Sequence, residues 1–304
     1  ADRWDADALF DPTPGTPGFA SYNFCSEQCS YDMFVASPRG APDVVWLGGQ
    51  MQYDELIAFG SPAPRSNGRA VQRSGDAGVN FADMTEDAQS PPEGMHPDQH
   101  AIVFHPDRPD IAFVGSDGGV VRTNGSFADR SGECAERGLN AADQANCESW
   151  LSAVPELIGS LNDGLATLQF QSVSVNGRNA PNDIIGGTQD NGTWAFRSNG
   201  NPQWFESVGG DGGQSGIDVG DPNVRMHSYF SAQQDVNFRG NDPLGWNFVS
   251  EPLLVSGEAQ SFYVPLIADP KVGSSWFVGL QHVWRTQNNG GEQAFLEQYC
   301  NELT

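Results

Sequence analysis

Apolar residues in this chain fall in short runs bounded by Gly, Pro, Asp and Asn clusters, a pattern that predicts strands joined by tight turns. The stretch from His96 to Arg122 shows the unit best. Residues 100–105 read as a strand, 106–110 as a polar turn and 111–115 as a second strand. Ser116-Asp117-Gly118-Gly119 is a glycine-rich turn, and Val120-Val121-Arg122 starts a third strand. That succession is an antiparallel meander.

The unit recurs, and recurrence decides the fold class. Residues 31–37, Pro38 and 44–49 repeat strand, proline, turn, strand, glycine. Residues 170–175 and 182–187 repeat it again, with Gly177 in the place of the proline and Thr188-Gln189-Asp190-Asn191-Gly192 as the turn. A weaker copy covers 215–230, and a fifth covers 262–279. Gly48, Gly115, Gly187 and Gly279 are spaced by one or two lengths of a four-stranded blade of roughly 40 to 50 residues. The fold expected is all-β, a β-propeller of four-stranded antiparallel blades. Five units are visible, and the count leaves closure at five, six or seven blades, or within a larger propeller, open.

A second feature repeats on the later strands. Ser74-Gly75-Asp76-Ala77-Gly78-Val79-Asn80-Phe81 fits the Asp-box pattern Ser/Thr-x-Asp-x-Gly-x-x-aromatic. Residues 286–291 and 198–204 are degenerate versions. In such a hairpin the Asp or Asn accepts bonds from its own loop, and Gly takes φ > 0, which is a structural role.

On these motifs, together with Asp98-Gln99-His100-Ala101, Val114 to Gly119 and Gly187 to Gly192, the chain resembles a secreted bacterial β-propeller of the Asp-box (BNR-like) group. That group is similar to the sortilin luminal propeller and to xyloglucan-hydrolysing propellers. The likeness covers roughly residues 30 to 290. It implies a propeller and leaves function open, because propellers host binding, hydrolysis and lyase chemistry alike.

Residues 1–24 read as an extended N-terminal arm and 25–304 as the propeller, interrupted by an insertion at about 126–162. Within the insertion, 141–145 and 150–161 are the plausible helical turns. Cys25 with Cys29, and Cys134 with Cys147, read as local disulfides of an oxidising compartment, the second stapling the insertion. The competing metal reading lacks a second Cys pair or a nearby His. Cys300 is left odd. Localisation outside the cell or on the envelope exterior is expected, with a leader either removed before Ala1 or never present.

The 304 residues carry 36 Gly, 20 Pro and a formal charge of −24, with Lys271 the one lysine. Such a field repels nucleic acid and anionic membranes. No apolar run is long enough to span a bilayer. Carboxylate-rich Asp/Asn-Gly turns are candidate Ca²⁺ ligands, although no stretch completes an EF-hand or a nonapeptide calcium repeat.

Three sets could carry chemistry. His96-x-Asp98-x-His100 places alternate residues of an extended segment on one side, where they could ligate a metal or orient a base. They could equally tie neighbouring blades by hydrogen bonds. His105 reads as a turn residue, and His227 and His282 as packing or surface histidines. Asp117 and Asp211, each followed by two glycines, resemble the acid and base aspartates of xyloglucan-hydrolysing propellers, whose separation sets the stereochemical outcome. Asp117 also occupies a slot that recurs as a plain turn. The third set is a contact surface for an extracellular protein or polysaccharide, formed by Asp98, His100, Gln189 and Asp190 with the aromatics Trp150, Trp194 and Trp204. The Arg-Ile-Pro-type motif of sialidase propellers is absent, Arg39 lying in Pro38-Arg39-Gly40-Ala41, as are a phosphate-binding Gly-rich loop followed by Lys and a Gly-x-Ser-x-Gly elbow. The expectation is a binding module, with glycan hydrolysis as the alternative.

Overall fold

The computed structural model describes residues 24–25, 28–56, 63–165, 168–176, 182–197 and 203–302. The expected N-terminal arm and the degenerate turn at 198–202 lie outside these residues, apart from Phe24. The chain divides into two compact units, Ala1–Ala166 and Thr167–Thr304. Each is built from the antiparallel blades of a β-propeller.

In the first unit β1 (Phe34–Ala36), β2 (Val45–Gly48), β3 (Val71–Ser74) and β4 (Ala82–Asp83) form one four-stranded antiparallel sheet in chain order. β5 (Gln99–His105), β6 (Arg108–Ser116) and β7 (Gly119–Thr123) begin the next. Ser116 pairs with Gly119, so Asp117 and Gly118 alone make the turn between β6 and β7. Trp46, Val71, Met84, Ala112 and Val114 pack into one core shared by the two sheets. Each Val or Met side chain so buried contributes about 1.5–3 kcal/mol.

The insertion follows β7. β8 (Phe127–Ala128) pairs with β9 (Val154–Pro155), and between them lies α1 (Ala141–Trp150). Asn140 caps α1, its Oδ1 accepting from the N–H groups of Ala142 and Asp143 at 3.0 Å. The Cys134–Cys147 disulfide forms, and both sulfurs are buried with Leu151 and Val154. The expected helical turn over 150–161 is corrected. Helix ends at Trp150, and Leu151–Ala153 is a single 3₁₀ turn. Pro155 disfavours helical backbone at the preceding residue, and Val154 is extended at φ −68 and ψ 158. β10 (Ile158–Ser160) then returns to β7 as the fourth strand of the sheet, so the last residues of the supposed insertion belong to the blade.

The second unit holds two four-stranded sheets and a third with three strands among the described residues. The first is β11 (Ser174–Val175), β12 (Ile184–Gly187), β13 (Thr193–Arg197) and β14 (Gln203–Val208). β15 (Ser215–Ile217), β16 (Arg225–Ser228), β17 (Gln234–Asn237) and β18 (Trp246–Phe248) form the next. After a one-turn helix, α2 (Glu251–Leu254), come β19 (Leu266–Ala268), β20 (Trp276–Gly279), β21 (Val283–Thr286) and a terminal helix, α3 (Gln293–Tyr299). Met226, Val236, Leu253, Trp276 and Leu296 share one core, so both unanticipated helices are held by a single buried leucine each.

The four repeated glycines all lie at or one residue before the end of the second strand of a sheet. Smallness is required at two of them. A Cβ on Gly48 would meet the Phe34 ring at 2.2 Å, and one on Gly187 would meet the Gly213 carbonyl at 2.3 Å. The 74–81 turn closes as its sequence implies. Asp76 Oδ1 accepts from the N–H groups of Val79 and Asn80, and Ser74 Oγ accepts from that of Gly78. Cys25 and Cys29 are also bonded, while Cys300 is free and half-buried. No helix among the described residues is long and apolar enough to cross a membrane.

Candidate metal centre

The strongest concentration of chemistry lies in the first unit, where β5 begins. His96, Asp98 and Asp117 offer one ligand atom each, all within 4.8 Å of one another, and so do Asp32, His100 and Asp117. The expected trio of His96, Asp98 and His100 is therefore divided between two sets that share Asp117. His100 Nε2 is 2.7 Å from Asp117 Oδ1, and its Nδ1 is 3.2 Å from Asp32 Oδ1.

Local structure brings these groups together. The β6–β7 turn projects Asp117 toward the start of β5, and the Asp117 N–H donates to the Asp98 carbonyl at 3.4 Å. Gly118 lets the turn lie against His96, since a Cβ there would approach the imidazole within 2.7 Å. Asp98 N–H donates to His96 Nδ1 at 3.4 Å, which turns the other ring nitrogen away from the backbone. The Cys25–Cys29 disulfide packs its Cys25 end on Gly49, where a Cβ would come within 2.6 Å of Cys25 Cβ. Gln28, next to that bridge, donates through Nε2 to Asp98 Oδ1 at 3.5 Å, and its carbonyl accepts from the Asp32 N–H at 2.9 Å. Small loop and strand are thus locked, with Asp32 delivered beneath His100.

Asp32 is wholly buried, and neither of its carboxylate oxygens receives a hydrogen bond. His100 and Asp117 are partly open to solvent, with side chains 38% and 31% exposed. The site is therefore a half-open cup with a buried anionic floor. Burial pushes the Asp32 carboxyl above the usual range, opposed by His100. Burial likewise pushes Asp98 up to about 6, opposed by His96 and reinforced by Asp32 and Asp117. Burial alone would lower His100, but its hydrogen bond to Asp117 and the charges of Asp117 and Asp32 outweigh this and raise it. Carboxylates held this close repel one another, and a cation between them would remove the penalty.

The other sequence-predicted residues are scattered. Trp150, expected on a contact surface, is corrected to a core residue: it is 1% exposed, with the Arg69 guanidinium stacked 4.4 Å from its ring centroid. Trp204 is partly exposed and tilts against Phe170 and Phe196. In the second unit Asp190, at φ +61, donates its N–H to Asp211 Oδ1 at 3.4 Å, and Tyr263 donates its hydroxyl to the same oxygen at 2.9 Å. Gln189 accepts from Asn191 through its carbonyl. Asp117 and Asp211, the expected acid and base, belong to different units. His105 accepts from Asp107 N–H as a turn residue, and His282 is a surface residue bonded to Glu258. Asp32 is the site residue that sequence reasoning missed. A single Asp three residues beyond a cysteine carries no motif.

No protein-family model matches the chain, and no curated protein does. Among solved structures, the GH74 xyloglucanase from Xanthomonas campestris is similar over 84% of this chain and 36% of its own, at 12% identity and a TM-score of 0.32. An ancestral GH74 enzyme is similar over 84% and 34%, at 11% identity and a TM-score of 0.27. The chain spans about a third of the length of each.

Proposed function

We propose that this chain is an extracellular or envelope-exterior binding module of Asp-box type whose first unit holds a divalent cation in the Asp32–His96–Asp98–His100–Asp117 cup. The cation would present open coordination positions to the oxygen atoms of a glycan or an acidic protein ligand. One observation carries this reading: the fully buried Asp32 carboxylate faces His100 and Asp117 with neither oxygen in hydrogen-bonding geometry and His100 Nδ1 3.2 Å from Oδ1. A buried anion left so is costly, and a metal ligated by imidazole and carboxylate compensates it. Two histidines beside three carboxylates favour zinc or manganese over calcium, which takes oxygen ligands. Asp117, common to both ligand sets, suits either one ion or a bridge between two.

The test is metal content of the purified chain by mass spectrometry, with thermal melts before and after chelation. Stoichiometric zinc or manganese, lost in a His96→Ala/His100→Ala variant, and a lower melting temperature after chelation are expected. Glycan and protein arrays run with and without the metal then read the ligand. A metal-free protein whose melt ignores added zinc and manganese would sink the reading.

One observation favours glycoside hydrolysis as a second reading. Asp98, buried and pushed up to about 6, could hold a proton for donation beside the half-exposed Asp117 carboxylate, an acid and a base of the kind glycosidases use. Xyloglucan turnover abolished by Asp98→Asn, and unaffected by chelator, would select it.

A further inference from the structure

Unit two contains a second, deeply buried set of ligands. His227 on β16 and Asp235 on β17 face each other across paired strands, with Nε2 3.2 Å from Oδ2 and both side chains fully buried. Glu302 completes the set, its carboxylate within 4.8 Å of the other two ligand atoms. It is brought there by the segment after α3, which lies along β18. Phe248 N–H donates to the Cys300 carbonyl at 2.8 Å, and Glu302 N–H donates to the Trp246 carbonyl at 3.1 Å.

His227 Nε2 is fully buried outside hydrogen-bonding geometry, and the buried Asp235 carboxylate has that nitrogen at 3.2 Å and a side-chain hydrogen bond with Glu302 as its neighbours. The ring is nonetheless fixed. Thr193 Oγ1 lies 3.2 Å from Nδ1, and Trp246 packs edge-on at a centroid distance of 4.7 Å. A hydroxyl on one ring nitrogen and an aromatic wall at its side aim the other nitrogen at the two carboxylates, the arrangement by which metal-bound imidazoles are oriented. Two carboxylates that share a hydrogen bond and an imidazole nitrogen, with only Glu302 half-buried, form a set that a cation can bind by displacing the shared proton. Zinc bonds of about 2.0–2.2 Å in a tetrahedron place neighbouring ligand atoms about 3.4 Å apart, close to the 3.2 Å found here.

We propose that His227, Asp235 and Glu302 form a buried site for a first-row divalent cation such as Zn²⁺, which clamps the 300–302 segment onto β18. The fourth position falls to water or another oxygen donor. This site is independent of the cup in the first unit. Its role is structural: the ion takes the place of the proton between Asp235 and Glu302, adds the His227 nitrogen to the link and fastens the 300–302 segment to the sheet.

The experiment uses the full chain carrying His96→Ala/His100→Ala, so that the first-unit cup is disabled. It is stripped with chelator, titrated with Zn²⁺ and assayed for bound metal, with Co²⁺ substitution as a spectroscopic check. One equivalent should bind. Glu302→Gln and Asp235→Asn, introduced separately, should each raise the Kd by at least the ~10-fold that loss of an outer partner alone costs, and abolish the Co²⁺ visible bands. Hydrogen exchange at residues 300–302 should slow when Zn²⁺ is added. Binding of no Zn²⁺, with exchange at 300–302 indifferent to it, would overturn the proposal and leave a proton shared between Asp235 and Glu302 as the cation. Zn²⁺ binding unchanged by both carboxylate substitutions would also overturn it. Glu302→Gln lies on the segment rather than in the sheet, so the test survives if Asp235→Asn fails to fold.

Discussion

His100 Nε2 stands 2.7 Å from Asp117 Oδ1, tying the second residue of β5 to the turn that follows β6. The same ring reaches Asp32 through its other nitrogen at 3.2 Å. One imidazole therefore bridges a buried carboxylate and a solvent-facing one. Its raised pKa is the electrostatic consequence.

Asp32→Asn separates ligand from scaffold. The wild-type carboxylate is buried out of hydrogen-bonding geometry with His100 Nδ1 at 3.2 Å, so in chelated protein the neutral isostere trades relief of burial against that ion pair and should change stability by no more than about 1 kcal/mol. With zinc or manganese added, the variant should bind at least ~10-fold more weakly and gain less thermal stability. Urea melts in chelator and in metal read both effects. A large loss of stability in chelator would mean that Asp32 is held by the scaffold alone.

Asp98 gives a pH dependence of defined sign. Its carboxyl sits at about 6 in the folded chain against 3.8 in the unfolded one. Below the unfolded value both states are protonated and the folded state suffers no penalty. As pH rises toward 6 the unfolded chain loses its proton first, and stability falls, by up to about 3 kcal/mol at two units of difference. Above 6 the contribution is flat. Chelated wild type should show this decline beyond any shown by Asp98→Asn, measured by urea unfolding from pH 4 to pH 8. Parallel profiles would show that Asp98 is not perturbed.

Much of this was legible in the sequence, and the reasons are local. Strand and turn chemistry placed β2, β12 and β20, because Val-Val-Trp-Leu and its equivalents are bounded by Pro, Asp and Gly whatever lies around them. β6 holds the expected Ile-Ala-Phe-Val but starts earlier, with Arg108-Pro109-Asp110 in the strand where a turn was expected. Four-residue and thirteen-residue cysteine spacings gave both disulfides. His96, Asp98 and His100 stood out by alternation, but the partners that turn them into a site come from 64 or more residues away in Asp32's case and from a hairpin in Asp117's. Trp150 was misjudged for the same reason: a lone Trp has no signal for burial until Arg69 stacks on it. His227 is the packing histidine expected, wholly buried against Trp246.

Gly118→Ala tests how closely the turn fits. A Cβ there would come within 2.7 Å of His96 Cδ2 and 2.8 Å of His96 Cβ, so the imidazole must move. Overpacking of this kind costs about 1–3 kcal/mol. The diagnostic effect is on metal: affinity of the first-unit cup should fall by ~10-fold or more, because ligating groups tolerate little displacement. Calorimetric titration with Zn²⁺ on an Asp235→Asn background isolates that cup. Unchanged affinity would remove His96 from the ligand set.

The Glu55–Arg69 pair anchors the loop before β3 to the insertion, and it is the buried charge most exposed to mutation. Glu55 and Arg69 are 2% and 3% exposed, joined through Nη2–Oε1 at 2.6 Å and Nε–Oε2 at 2.8 Å, with Ser66 Oγ donating to Oε2 at 2.6 Å. Burial alone would raise the Glu55 carboxyl, but the charge and hydrogen bonds of Arg69 outweigh it and hold the carboxyl below its ordinary range. On its far face the Arg69 guanidinium stacks on Trp150 of α1. Arg65 also pairs with Glu55, its Nε 3.1 Å from Oε1. Glu55→Gln therefore strands the buried Arg69 and should cost about 3–5 kcal/mol, whereas Arg69→Met leaves Glu55 its second partner and should cost less. The Glu55→Gln/Arg69→Met double variant should be less damaged than the sum, because the buried Arg69 charge goes with its partner and the half-buried Arg65 keeps Asp54 at 3.1 Å. Urea unfolding of the four proteins closes the cycle. Strict additivity would mean that the two side chains stabilise the loop independently, and that the stacking on Trp150, rather than the ion pair, holds the insertion in place.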